Sequence, residues 1–473
     1  MNFDKIAPQL RANELRMESF QFNAVKFGGK VKRCLIEAPV GAGKTLIGLQ
    51  TALGIFTPNS RIVIVCSRNA LYTWERELNK WFPGIFEKDE FCIIDGSPGE
   101  RALQWANPKH RIKVTTFHKL MNDIAEAERF KNKHVVDIIL VDEAHRARNR
   151  KAKTFAALKI LSKPLPGKPS LPAFIELTGT PGDKGVQHMW GYFNQIAPSF
   201  FTSYWRFITT FCETVEGRYG KEIIGNKNTE GFIQTVRPYF WKVNVEDTKL
   251  QKVRRHIIPI DLSPKLRKVY DELEDQMLSI TDDGEMVVAA TSLDQTMKLR
   301  QFLTYPGSLF PSLGLGDLPE WIADKIEDED SGVFRHSIIF TPFTANLKPY
   351  QEYFADRFKK TVITLQGGMD PKEQQARVEE CKRVRGMAIC TTKYAQSFEF
   401  PDMAAAFMAG YEWSKDDMEQ AEGRIRRLVS TFIPNVYYPQ FKGTIDELMF
   451  QILDGKTINL KQLFEHYKGL KRP

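Results

Sequence analysis

The side chains best placed to do chemistry begin with Ala38-Pro39-Val40-Gly41-Ala42-Gly43-Lys44-Thr45. This stretch lies between a β-type run, Val31 to Glu37, and a helical pattern that opens at Thr45. In such a strand–loop–helix setting, the backbone N–H groups of Val40, Gly41, Ala42 and Gly43 can curl around phosphate oxygens. Lys44 then reaches the outer phosphates, and the Thr45 hydroxyl can hold Mg2+. The helix N-terminus adds partial positive charge where the anion would sit. Gly41 and Gly43 let the backbone approach a ligand with no Cβ in the way. Ala38 stands where the strict pattern has its first glycine, yet the context is that of an ATP site. The small molecules expected are ATP and Mg2+.

A second constellation follows the apolar run Val135 to Val141, which delivers Asp142-Glu143-Ala144-His145 to a strand end. Ligands of open parallel sheets bind at such carboxyl ends. Two adjacent acids there can divide the work: Asp142 in the Mg2+ shell, Glu143 orienting and deprotonating an attacking water. The basic run Arg146, Arg148, Arg150, Lys151, Lys153 comes next and reads equally as a solvated face or a surface near DNA. Gln21 lies ahead of the phosphate loop, and its amide suits the two-faced edge of adenine, or simply solvent. Thr178 and Thr180 close the strand Ala173 to Leu177, where hydroxyls can sense a neighbouring phosphate or merely form a turn. Thr115 and Thr116 end another strand and could touch a phosphate backbone or be ordinary β-branched residues. Late in the chain, Gln420, Gly423 and Arg427 share a helix face, with Arg424 beside them. Paired arginines facing a phosphate loop would stabilise charge on a transferring phosphoryl group, an effect of roughly 10³–10⁵ in rate.

These groups must be held by alternating strands and helices. Arg61 to Cys66, Phe91 to Ile94 and Ile112 to Thr116 read as short buried strands with helices between them, which implies a parallel sheet covered on both faces. Trp74 and Trp81 read as core packing. The rhythm breaks near Lys242 and resumes with Ser337 to Phe340, Val362 to Leu365 and Met387 to Cys390. The expected division is a first lobe at residues 1–245, a linker at 246–264 and a second lobe at 265–473. Composition agrees with a core-forming chain: 42% of residues are hydrophobic and 26% charged, with a net charge of +9. The six cysteines are scattered, without a C-x-x-C pair, which argues against zinc or a disulfide framework and for reduced core thiols. No apolar run approaches the ~18 residues of a membrane span, and the N-terminus lacks a signal core.

Taken in order, these pieces resemble the superfamily 2 helicases and translocases, in particular their Swi/Snf-like branch. The matches are Phe20-Gln21 (Q motif), Ala38 to Thr45 (motif I), Asp142 to His145 (motif II), Thr178 to Pro181 (motif III) and Gln420 to Arg427 (motif VI). The branch is marked by Trp74-Glu75-Arg76-Glu77, Arg237-Pro238-Tyr239-Phe240, Met297 to Phe302 and Gln366-Gly367-Gly368-Met369. The resemblance covers nearly the whole chain. It implies α/β architecture: two RecA-like parallel-sheet lobes in tandem, with an ATP cleft between them. It further implies that Lys44, Thr45 and Asp142 bind Mg-ATP, that Glu143 activates water, and that Arg424 and Arg427 reach across. His145, Thr178, Thr180 and Gln420 would couple the site to DNA, and Ser67, Arg68, Thr115, Thr116, Thr391 and Lys393 are its candidate contacts. The segment Thr391 to Pro401 departs from motif V, with Ser397 in place of the usual glycine and Glu399 in place of Asp or Asn.

The expectation is therefore an ATP-dependent DNA translocase acting on duplex, forked or branched DNA, as in compact phage and bacterial helicases. Replication or recombination proteins are its expected partners, and a bacterial or phage-infected host cytoplasm its setting. The same motor acting on RNA is one alternative. Another is a nucleotide-gated adaptor with little turnover, against which the intact Glu143 and the paired arginines argue.

Overall fold

The computed structural model describes residues 3–129, 136–164, 170–179, 185–217, 220–250, 252–284, 286–328, 336–395, 398, 400, 402–425 and 433–453. The chain divides into two compact units, Met1–Lys249 and Leu250–Pro473.

The first unit is built on β1 (Arg33–Glu37), β2 (Ile62–Cys66), β3 (Phe91–Ile93), β4 (Ile112–Thr116), β5 (Ile138–Asp142) and β6 (Ala173–Thr178). A hairpin of β7 (Cys212–Gly217) and β8 (Gly220–Asn226) follows, and then β9 (Phe240–Lys242). The central sheet has the order β3-β4-β2-β5-β6-β1-β9, and its pairings are all parallel. Strands such as Ile62–Cys66 and Ile138–Val141 are buried throughout, because helices cover both faces and leave no side for polar alternation. The helix Lys44–Gly54 lies on one face. On the other, Phe155, Trp190, Phe193 and Phe207 join Leu35, Val65, Val141 and Phe174 in one apolar core.

The second unit contains β10 (Arg254–Ile260), β11 (Leu278–Ile280), β12 (Met286–Val288), β13 (Ser337–Thr341), β14 (Val362–Leu365), β15 (Met387–Thr391), β16 (Ala405–Met408) and β17 (Asn435–Phe441). Its six-stranded sheet, β10-β17-β16-β13-β15-β14, is again parallel. The stretch 246–264, expected as linker, carries β10, which pairs with β17 over its whole length. Its basic residues hid it: Arg254 and Arg255 open an edge strand whose residues are mostly exposed, so the stretch reads as polar chain. The acidic turn near Asp282 is the tip of the β11–β12 hairpin. Among the described residues, no helix is long and apolar enough to cross a membrane.

Candidate nucleotide site

The phosphate loop leaves β1 at Glu37 and is tied at once to β6, where the Ala38 N–H donates to the Thr178 carbonyl at 3.0 Å. It enters the helix Lys44–Gly54 through Gly43, whose φ is 79°, and Gly41 has φ 90°. A Cβ on Gly43 would lie 2.6 Å from Gln21 Nε2 and displace that amide, and the positive φ itself favours glycine here. Gly43 brings no side chain to cap the first turn, whose N–H groups are left for an anion. The Lys44 ammonium bends back over the loop and donates to the Ala38 carbonyl at 3.3 Å. Gly179, just past β6, runs beside that ammonium: a Cβ there would stand 3.5 Å from it.

Gln21 sits in the first turn of the helix Ser19–Val31 and is 4% exposed. Its amide oxygen accepts from the Glu18 N–H at 3.0 Å, and its amide nitrogen donates to the Ala42 carbonyl at 2.8 Å. With both ends of the amide engaged, Gln21 braces the loop against its own helix in this structure.

At the end of β5, Asp142 accepts from the Trp74 indole N–H at 3.2 Å. Burial, and then the neighbouring Glu143, push the Asp142 carboxyl up to about 6, against the opposing pull of Lys44 and Trp74. Two acids forced together in a poorly solvated place have an electrostatic tension that a divalent cation would relieve. Glu143 itself has φ 50°, a left-handed conformation that costs a non-glycine residue about 1–3 kcal/mol. The His145 Nδ1 lies 3.3 Å from Glu143 Oε2 and 3.4 Å from the Thr178 hydroxyl. Thr178 thus joins both loops: its carbonyl receives the phosphate loop and its hydroxyl meets the acidic one. Thr180 lies outside the described residues.

The residues present fit Mg-ATP. Lys44 and the N–H groups of 40–45 would hold the phosphates, and Thr45 and Asp142 the cation, whose contribution is to neutralise phosphate charge.

In the second unit, Gln420 is buried, and its amide oxygen has no partner among the described residues. Arg424, 7% exposed, donates through Nε to the Gln420 carbonyl at 3.1 Å and through NH1 to the Phe398 carbonyl at 3.3 Å. The Phe400 N–H returns a bond to the Arg424 carbonyl at 2.9 Å, so the motif V segment and the motif VI turn are stitched together. Glu422, between Gln420 and Arg424, receives Nε and NH2 of Arg255 at 2.6 and 2.7 Å and the Tyr438 hydroxyl at 2.7 Å. Arg427 lies outside the described residues, as do Ser397 and Glu399.

The candidate DNA contacts are placed unevenly. Arg68 is exposed and Ser67 buried. Thr115 and Thr116 are both buried, and the Thr116 hydroxyl accepts from the Lys119 N–H at 3.2 Å, capping the next helix. Thr391 is buried, while Lys393 is exposed and 3.5 Å from the buried Glu412. Sequence reasoning passed over three features: the Trp74 donor, the Arg255–Glu422–Tyr438 group, and Glu176 in the middle of β6. A buried indole N–H needs an acceptor, and a lone acid inside Ala173–Thr178 needs a reason. Those were the available signals.

Residues 19–308 match the SNF2-related domain. The chain belongs to the SNF2-related family. Residues 321–429 of this SNF2-related chain match the helicase conserved C-terminal domain. It is 22% identical over 439 residues to mouse DNA annealing helicase and endonuclease ZRANB3, covering 90% of this chain and 38% of that protein. It is 25% identical over 224 residues to human DNA excision repair protein ERCC-6-like, covering 45% and 17% respectively. The chain therefore spans less than half the length of these relatives. The crystal structure of the Pyrococcus furiosus Hef helicase domain shares its fold, with a TM-score of 0.52 at 17% identity over 93% of this chain and 98% of that one. The two parallel-sheet units are tandem RecA-like lobes, and the family is one of ATP-hydrolysing enzymes.

Proposed function

We propose that this SNF2-related chain hydrolyses ATP to move along and remodel duplex, forked or branched DNA. The observation that carries the reading is the hydrogen-bonded group at the carboxyl ends of β1, β5 and β6. There a phosphate loop, an acidic pair and a threonine–histidine relay are fixed to one another. Lys44 and the loop N–H groups orient the triphosphate, and Glu143 takes the proton of the attacking water. His145 bears on Glu143, so a shift of Thr178 alters the base. By motif resemblance, the charge developing on the transferred phosphoryl group is assigned to Arg424 and Arg427. Sequence-independent, salt-sensitive binding through phosphate contacts is expected.

The test is ATP turnover with linear duplex, fork, four-way junction, single-stranded DNA and RNA. Turnover should rise with DNA, and Lys44→Ala and Glu143→Gln should each abolish it, Glu143→Gln while still binding nucleotide. Stimulation by RNA alone would transfer the motor to RNA, and unchanged turnover in either variant would refute the site.

A further inference from the structure

Beyond the phosphate loop, one face of the first unit combines positive charge with exposed aromatic rings. Residues 144–164 and 185–212 contain no aspartate or glutamate, yet carry Arg146, Arg148, Arg150, Lys151, Lys153, Lys159, Lys163 and Arg206. Their helices are joined by a continuous layer. Lys159 lies over the Phe155 ring at 5.6 Å, Phe155 stacks on Trp190 at 6.0 Å, and Trp190 meets the edge of Tyr204 at 5.5 Å. Arg150 caps Tyr204, its guanidinium carbon 4.2 Å from the ring centre. Helix Trp190–Ile196 is seated so tightly that a Cβ on Gly191 would fall 1.8 Å from the Arg148 carbonyl oxygen. The layer is thus fixed to the segment that follows Asp142 and Glu143.

On its outside, Trp205 stands against Tyr204 and is 50% exposed; Phe200, five residues earlier in the chain, is 63% exposed. Arg150, Lys151, Lys153 and Arg206 are exposed too, with no carboxylate partner among the described residues. Cations alone would serve a duplex, whose base faces are hidden. Large aromatic faces between unneutralised cations suit a strand whose bases are free to stack.

We propose that this face binds an unpaired DNA strand, with bases on Trp205 and Phe200 and phosphates on Arg150, Lys151, Lys153 and Arg206. The proposal rests on the DNA-motor reading and extends it: a motor that opens or remodels a fork would hold one product strand here.

The test uses the full chain and fluorescein-labelled dT20 followed by anisotropy across a salt series. Trp205→Ala should weaken dT20 binding by about tenfold, and Trp205→Phe by far less. Lys151→Ala and Lys153→Ala should each flatten the salt slope by about 0.7. Melting temperature and duplex-stimulated ATP turnover should stay near those of the unsubstituted chain in all four. Failure of the unsubstituted chain to bind dT20 would overturn the proposal, as would Trp205→Ala binding within twofold of it. So would a dimer, seen by light scattering, that Trp205→Ala dissolves with dT20 affinity unchanged, since the face would then belong to a second copy. Absence of duplex-stimulated turnover in the unsubstituted chain would instead defeat the motor reading, and the dT20 measurement separates the two.

Discussion

Replacing Asp142 with asparagine should inactivate the protein and, without ligand, make it more stable. In the folded chain the Asp142 carboxyl is pushed up from 3.8 to about 6, first by burial and then by Glu143. A shift of roughly two units corresponds to about 3 kcal/mol of tension in the ionised form. For an acid raised in the native state, that cost is absent below pH 3.8, grows between there and about 6, and is fully present above. Asparagine keeps the shape and an oxygen for the Trp74 indole but removes the charge, so Asp142→Asn should recover about 1–3 kcal/mol near pH 7.5. For a unit of this size that is roughly 2–10 °C in melting temperature. The assay is thermal unfolding of the ligand-free chain and the variant from pH 4 to pH 8. Their melting temperatures should converge near pH 4 and separate as pH rises through 6. Mg2+ with a nucleotide should raise the melting temperature of the parent more than that of the variant. A variant that melts at or below the parent at pH 7.5, or a gap as wide at pH 4 as at pH 7.5, would mean that the Asp142 carboxylate carries no such tension.

Two further changes probe groups that touch no nucleotide. Arg255→Ala removes two donors from the buried Glu422. It should cost about 1–3 kcal/mol by urea titration, discounted because Arg255 is half exposed, and should lower DNA-stimulated kcat more than it raises KM for ATP; a stability loss with unchanged kcat would limit the group to structure. Glu176→Met should raise the urea midpoint rather than lower it, because both carboxyl oxygens of Glu176 are buried without a hydrogen-bond partner among the described residues. Burial holds that acid well above the usual carboxylate range, and its neighbour Arg33 donates instead to the carbonyls of Pro172, Gln195 and Ile196. A fall of more than 1 kcal/mol would mean that Glu176 has a partner in solution.

Legibility in the sequence followed burial. Strands covered on both faces, such as Ile112–Thr116 and Val362–Leu365, were visible as short β-type runs with the same boundaries. The edge strand β10 was not, since Arg254 and Arg255 give it a charged start and its partner β17 lies far along the chain. Local chemistry was equally readable: a glycine-rich turn opening a helix, and an acidic pair ending a strand, are fixed by neighbours in sequence. What one sequence could not show is how such groups are partnered at a distance. Gln21 could be placed before the phosphate loop, but not with both ends of its amide engaged. Trp74 was legible as core, and it is core; that its indole also reaches Asp142, 68 positions away, depends on how helix and sheet pack.

These distant partnerships share a form that bears on how a motor could work. In each unit a nucleotide motif is tied by a few directional bonds to a segment that has no nucleotide chemistry of its own. In the first, Thr178 accepts from the phosphate loop and meets His145, which meets Glu143. A displacement at the end of β6 is therefore felt at Glu143. In the second, Arg255 on β10, the first strand after the division at Lys249 and Leu250, grips Glu422, and two residues later Arg424 exchanges bonds with Phe398 and Phe400. Broad apolar packing spreads a displacement over many small contacts, whereas a short chain of charged bonds either holds or lets go. Movement of β10 would thus reach the arginine turn through the Arg255–Glu422 pair and through β17, whose Tyr438 also bonds Glu422, and the motif V segment would follow because it is bonded to that turn in both directions.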